Sequence, residues 1–258
     1  MRPLNGTRVS ENIVEIRECT TLEELAECVR LQREVFALPE VELSPVRHFV
    51  VTRNAGGFVL GAFVEGQMAG FTLSVPAFLR GERAFYSHMT GIRPAYQSHG
   101  LGGRLKWAQR KRALEVGVRS IKWTFEPIKA RNAYFNLEKL GATVREYQQN
   151  FYGTDYATSP GSGAKIGLQS DRLFAEWELT SPKVVALAAG DRYVEPGEPA
   201  AAVEIINDWQ TLVEADPAAG LALQLRVREE LGAAFERGLV GRGFRRDDRS
   251  PAFLLFSE

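Results

Sequence analysis

The sequence predicts a mixed α+β protein, a twisted mixed sheet flanked by helices with a smaller α+β portion after it. Three observations predict it. Leu22, Leu25, Val29 and Phe36 recur at roughly helical spacing. Two apolar runs, FVLGAFV and AGFTLSV, flank the turn residues Glu65-Gly66 and read as a hairpin. A Gly- and Ser-rich stretch at residues 154–171 then separates these patterns from a different set beyond it.

Taken in order, Ile13, Val14 and Ile16 suggest a short first strand. Thr20 or Thr21 can cap the helix that follows, because Glu23 and Glu24 suit the positive end of its dipole and Pro39 stops it. Residues 40–56 carry Pro45 and the Asn54-Ala-Gly-Gly57 cluster and read as a loop. The hairpin spans residues 58–76, and a strand covers Phe85 to Ile92. A helix runs from Leu101 through Glu115 and ends at Gly117. Ile121 to Phe125 form a strand, Asn132 begins a short helix that reaches Leu140 and is terminated by Gly141, and Thr143 to Tyr152 are extended. Arg172–Leu179, Ala202–Ile206 and Phe253–Phe256 resemble strands, and Leu221–Arg237 an amphipathic helix.

With 258 residues and 45% hydrophobic content, the chain can bury a core unaided. Lys plus Arg equal Asp plus Glu at 32 each, so no overall field attracts a polyanion and nucleic acid is not an expected partner. Cys19 and Cys28 are too few for a disulfide framework or a four-cysteine zinc site, and both read as reduced structural thiols. The start, MRPLNGTRVSEN, lacks the apolar core of a signal peptide, and no stretch reaches membrane-spanning length, so no membrane is expected and the location is cytoplasmic. Three histidines without an H-x-x-x-H spacing give no metal site, and no G-x-S-x-G elbow is present.

The most informative stretch is RPAYQSHGLGGRL, in which a strand and a proline precede Gln97-Ser98-His99-Gly100-Leu101-Gly102-Gly103 and a helix with no acidic residue at its start. The open end of a helix presents unpartnered amides and partial positive charge, which together suit a pyrophosphate. Gly100 and Gly102 remove side chains that would block its approach. Arg104, Lys106, Arg110, Lys111 and Arg112 follow on the helix and either meet phosphates or form a solvated face. A Rossmann-type dinucleotide site does not fit, because no early βαβ unit surrounds the loop.

Gln97-Ser98-His99-Gly100-Leu101-Gly102 resembles the Q/R-x-x-G-x-G/A signature of the GNAT superfamily of N-acetyltransferases, and the resemblance covers about residues 10–152. WTFEP with RNAYFNLEKLGA resembles a bacterial group of GNAT proteins whose substrates are not known from the motif. The resemblance implies a GNAT-type sheet, acetyl-CoA or another acyl-CoA as co-substrate, and a small-molecule amine as acceptor. It places the pyrophosphate at Gln97 to Gly103 with Arg104 beside it. The pantetheine arm lies along Gly91, Ile92 and Arg93, whose backbone supplies the amide partners another strand would supply. Asn132 either bonds the cofactor arm or caps its helix.

Acyl transfer from a thioester to an amine needs a neutral amine, a polarised carbonyl and a proton for the leaving thiolate. His88 is the first candidate base, since imidazole titrates near neutrality, the other reading being a satisfied core residue. Glu126 accepts a proton or pairs with Lys129 or Arg131. In many GNAT members a tyrosine stands where this chain has Leu137. Tyr134, almost a helical turn earlier, substitutes for that phenol or packs on the sheet. His99 contacts solvent or a CoA phosphate.

The expected organisation is a GNAT-like catalytic region at 1–153, a loop or linker at 154–171 that is a lid or passive, and an α+β portion at 172–258. The last portion covers the acceptor end or offers a homodimer surface. Two functions compete: an N-acyltransferase, and a non-catalytic acyl-CoA sensor or assembly module, which Leu137 motivates.

Overall fold

The computed structural model describes residues 14–36, 38–156 and 167–258. In chain order the elements are β1 Val14–Glu18, α1 Leu22–Phe36, α2 Val46–Asn54, β2 Phe58–Val64, β3 Gln67–Leu79, β4 Glu82–Ile92, α3 Leu101–Glu115, β5 Ser120–Phe125 and α4 Ala130–Tyr134. Then come β6 Thr143–Gln148, β7 Arg172–Glu178, α5 Pro182–Ala189, β8 Ala201–Glu204, α6 Trp209–Ala215, α7 Pro217–Glu236, β9 Leu239–Arg245 and β10 Ala252–Ser257. Among the described residues the strands make one ten-stranded, mostly antiparallel sheet in the order β1-β2-β3-β4-β5-β7-β6-β9-β10-β8. The mixed α+β class expected from the sequence is the one observed.

The chain forms two compact units, one of residues up to Val75 with His88–Gln109, the other of Pro76–Ser87 with Arg110–Glu258. In the first, the β2–β3 hairpin turns at Glu65 and Gly66, both at positive φ, 50° and 77°. That mirror-image turn matches the twist of the flanking strands. Helix α1 begins with a reciprocal cap: the Glu24 amide donates to Thr21 Oγ1 at 3.2 Å, and Glu24 Oε2 accepts from the Thr20 amide at 2.7 Å. Its apolar stripe, Leu25, Cys28, Val29 and Leu31, packs with Phe49, Val59, Phe63, Met68, Phe71 and Leu73. Each fully buried large side chain contributes about 1.5–3 kcal/mol. Cys19 and Cys28 are free and buried in this core. The Cys19 thiol and burial push the Cys28 thiol far above its ordinary value, as inert structural cysteines require.

In the second unit, β4 pairs in parallel with β5 at Phe85 against Ile121 and Tyr86 against Lys122. Strand β7 is antiparallel to both β5 and β6 and lies between them. The core centres on Trp123 and Trp177, edge to face at 5.9 Å, and the Trp177 indole donates to the Leu140 carbonyl at 2.7 Å.

Several sequence expectations are corrected. Residues 40–56, expected as a loop, hold a 3₁₀ turn at Glu40–Glu42 and helix α2, with Pro45 at its N-cap. Phe49 and Thr52, one turn apart, are its buried residues. Helix α4 begins at Ala130 and continues into a π-helical turn at Phe135–Lys139. Asn132 is therefore inside α4, and Lys129 occupies the cap, which removes the capping reading. Extended structure after Thr143 ends at Gln148. Helices α5 and α6 and strand β9 were not expected. Ile13 and residues 157–166 of the expected loop lie outside the described residues.

Candidate functional site

The phosphate-loop segment belongs to the first unit and is built from β4 outward. Gly70 on β3 lets the end of β4 come close: a Cβ there would sit 2.8 Å from the Gly91 carbonyl and 2.5 Å from Ile92 Cδ1. The Arg93 amide donates to the Ala69 carbonyl at 2.9 Å, which ties the residue after β4 to β3. The Arg93 side chain is turned to α1, pairing with Glu27 and with Glu34 at 3.0 Å. Any contact of Arg93 with a ligand on the sheet edge is thus left to its backbone.

A single 3₁₀ turn, Pro94–Tyr96, leads into the loop. Gln97 Nε2 donates back to the Ile92 carbonyl at 2.9 Å, closing the segment into a ring. Ser98 and Gly100 both adopt positive φ, 65° and 76°. Residues 97–100 are exposed, His99 included. Helix α3 opens at Leu101 with no acidic residue in its first turn, so no carboxylate of that turn competes for its positive end. Its first bond is from the Arg104 amide to the Gly100 carbonyl, 3.1 Å, which leaves the Leu101, Gly102 and Gly103 amides without an intrahelical acceptor. A Cβ on Gly100 would meet nothing within 4 Å, and one on Gly102 only Ile92 Cγ1 at 3.9 Å. Protein packing does not demand glycine at 102; an approaching ligand would.

The basic residues after the loop divide by role. Arg104 donates to the Val14 carbonyl of β1 at 3.0 Å. Lys106 is buried, 4% exposed, and donates to Gln109 Oε1 at 3.0 Å, while Gln109 donates to Ser74 Oγ at 2.7 Å. Burial pushes the Lys106 ammonium down to about 7, so it belongs to the interior and is neither a phosphate ligand nor part of a solvated face. Arg110 donates to the Leu179 carbonyl at 2.9 Å.

His88 has neighbours in the same unit that sequence did not disclose. Its Nε2 lies 3.3 Å from Ser44 Oγ, and its ring meets that of His48 at 5.6 Å. The imidazole is on the exposed side of β4 and is not a core residue. Desolvation by surrounding protein, and then the charge of His48, hold it below its ordinary value and therefore neutral at pH 7. Helix α2 and the turn before it, read as loop from the sequence, supply both neighbours. His48 Nε2 is itself buried without a hydrogen bond.

The remaining candidates are in the second unit. Glu126 pairs with Lys129 at 2.8 Å. Tyr134 has Lys139 Nζ 5.4 Å and the Arg246 guanidinium 5.5 Å from its ring centroid. Leu137 is fully buried and Asn136 accepts from Trp123 Nε1 at 3.3 Å, so the π turn directs both into the core. Asn132 is exposed. Among the described residues no group of three or more His, Cys, Asp or Glu side chains is placed to hold a metal, and no helix is long and apolar enough to cross a membrane.

The sequence matches no family model and no curated protein. The solved structures are more informative. A candidate acetyltransferase from Acinetobacter baylyi ADP1 superposes with a TM-score of 0.53 at 21% identity, over 66% of this chain and 95% of that one. The ribosomal-protein-S18-alanine N-acetyltransferase from Escherichia coli superposes at 0.50 and 16% identity, over 66% and 96%. The chain has the GNAT acetyltransferase fold. A further GNAT acetyltransferase, from Elizabethkingia anophelis and solved with acetyl-CoA bound, gives 0.48 at 15% identity, over 66% and 100%. The match leaves about a third of this chain outside the superposed region.

Proposed function

We propose that this protein moves an acetyl or other acyl group from acyl-CoA directly to the amine of a small-molecule acceptor. The observation that carries the reading is the start of α3: an exposed, acid-free helix end in which Gly100 and Gly102 stand open and three amides await acceptors. In this reading the pyrophosphate lies against Ser98 to Gly103, with His99 at the loop's outer side. The pantetheine amides follow the backbone of Gly91, Ile92 and Arg93. Asn132, freed from capping, remains the proposed side-chain partner of the cofactor arm.

His88 is the proposed proton acceptor. Its lowered pKa keeps it neutral at pH 7, and Ser44 orients its ring. Glu126 is the alternative acceptor, and Tyr134 the only proposed phenolic donor to the thiolate. Holding the two reactants aligned supplies much of the rate in a direct transfer. A second reading, an acyl-CoA sensor without turnover, is favoured by one observation: Leu137, at the place of the family's tyrosine, is sealed in the core.

Calorimetric binding of acetyl-CoA, followed by thioester turnover with a panel of amines, separates the readings. Binding with turnover supports the enzyme, and binding with no turnover on any amine supports the sensor. Absence of binding by the folded protein leaves only the fold.

A further inference from the structure

We infer that the Arg172 guanidinium and the hydroxyls of Tyr86, Thr124 and Tyr152 form a binding site for a carboxylate carried on an aromatic or otherwise planar body. All four residues lie in the second unit. The inference goes beyond acyl transfer and does not rest on it.

Arg172 opens β7 and is only 5% exposed. Its Nη1 donates to the Asp171 carbonyl at 2.9 Å, and its guanidinium carbon lies 5.1 Å from the Tyr152 ring centroid. Among the described residues no carboxylate stands within ion-pair distance of it. The neighbouring carboxylate, Asp171, is fully engaged elsewhere. Arg228 grips it with Nε at 2.9 Å and Nη2 at 3.1 Å, the Tyr147 hydroxyl donates at 2.6 Å, and the Asn150 amide at 3.0 Å. One carboxylate between two guanidiniums leaves one positive charge over.

Burying a charge costs several kcal/mol unless an opposite charge or a full set of hydrogen bonds compensates. Among the described residues the Arg172 guanidinium has a single carbonyl and a ring face. A planar guanidinium fork suits a carboxylate, which accepts two parallel bonds.

The surroundings supply donors and a surface. Tyr86 donates to Thr124 Oγ1 at 3.5 Å, and Thr124 Oγ1 is 3.4 Å from the Tyr152 hydroxyl. These contacts are at the long limit of a hydrogen bond, so the hydroxyls lose little by turning to a ligand oxygen. Burial pushes the Tyr86 phenol up to about 12, which keeps it a donor. Tyr152 and Phe151 are each 41% exposed, unusual for aromatic side chains whose rings meet at 4.6 Å. Tyr152 also stacks with Tyr156 at 4.8 Å and 24°. An aromatic wall beside an uncompensated cation selects a flat acid over a spherical one.

The test is a titration of full-length protein, ¹⁵N-labelled in arginine, with benzoate, acetate and inorganic phosphate, following the Arg172 Nε–H resonance by NMR. Benzoate should shift it saturably, and acetate should bind several-fold more weakly. Arg172→Lys should weaken benzoate binding about tenfold or more through loss of the bidentate fork. Since that substitution is in a buried position, Thr124→Val and Tyr152→Phe serve beside it, each expected to weaken benzoate binding about three- to tenfold. The inference is overturned if benzoate causes no saturable shift, if phosphate binds more tightly than benzoate, or if all three folded variants bind benzoate as the wild type does.

Discussion

Introducing a carboxylate at the start of α3 should separate ligand binding from stability in opposite directions. In Gly102→Glu the new Cβ meets only Ile92 Cγ1 at 3.9 Å, so the protein accommodates the side chain without strain. An acidic residue in an acid-free first turn gains from the helix dipole by about 0.3–1 kcal/mol, and replacing a helical glycine adds about 0.5–1 kcal/mol. Stability should therefore rise or stay level. For the pyrophosphate the sign reverses. Two phosphate charges at about 5 Å from the new carboxylate, at an effective dielectric of about 40–80, are repelled by roughly 1.5–3 kcal/mol. That is a loss of roughly ten- to a hundredfold or more in acetyl-CoA affinity, partly relieved by salt. Gly102→Gln, equal in size and uncharged, should lose much less. Calorimetry of acetyl-CoA against the three proteins, with urea unfolding of each, reads both effects. If Gly102→Glu binds acetyl-CoA as well as wild type while remaining folded, the pyrophosphate is not at this helix start and the proposed function loses its support.

Other consequences follow from individual side chains. Because the His88 pKa is lowered, kcat/KM on a neutral amine should be flat near pH 7 and fall only as pH drops below the ordinary imidazole value of 6.5, and His88→Gln should remove that acid limb from the pH profile. Lys106, depressed to about 7 in the folded state against 10.5 unfolded, penalises folding fully below pH 7 and progressively less as pH rises to 10.5. Lys106→Met should thus be more stable by about 1–4 kcal/mol at pH 6, and its advantage should vanish toward pH 10 in urea unfolding curves. Asp171→Ala should cost about 3–5 kcal/mol in the same assay, since it strands the Arg228 guanidinium as well as the Tyr147 hydroxyl.

What the sequence disclosed tracks how local each determinant is. The boundaries of α3 and the β2–β3 hairpin were legible because their signals, an acid-free glycine loop and a Glu65-Gly66 turn, act within a few residues. Helix α5, not expected above, carries equally local signals: Ser181 caps it, Pro182 is its first residue and Gly190 ends it at φ 85°. The same holds for α6, capped by Asp208, and for the first turn of α7, capped by Asp216 ahead of the helix expected from Leu221. The place of β7 between β5 and β6 was not legible, because pairing partners depend on contacts between residues 24 to 58 positions apart along the chain.

The candidate site divides along the same line. The loop from Gln97 to Gly103 works through backbone amides and could be read from glycines and the absence of acids. His88 could be named from its ordinary titration range, yet its neighbours Ser44 and His48 come from a segment 40 to 44 residues away that read as loop, and burial, then the charge of His48, lowers its pKa. Arg172 was invisible as chemistry because an arginine at a strand start is ordinarily a solvated charge. Its character depends on Asp171 being engaged by Arg228, a residue 57 positions distant. A functional cation of this kind is defined by what its neighbours have already paired with, so it becomes legible only once the ion pairs around it are assigned.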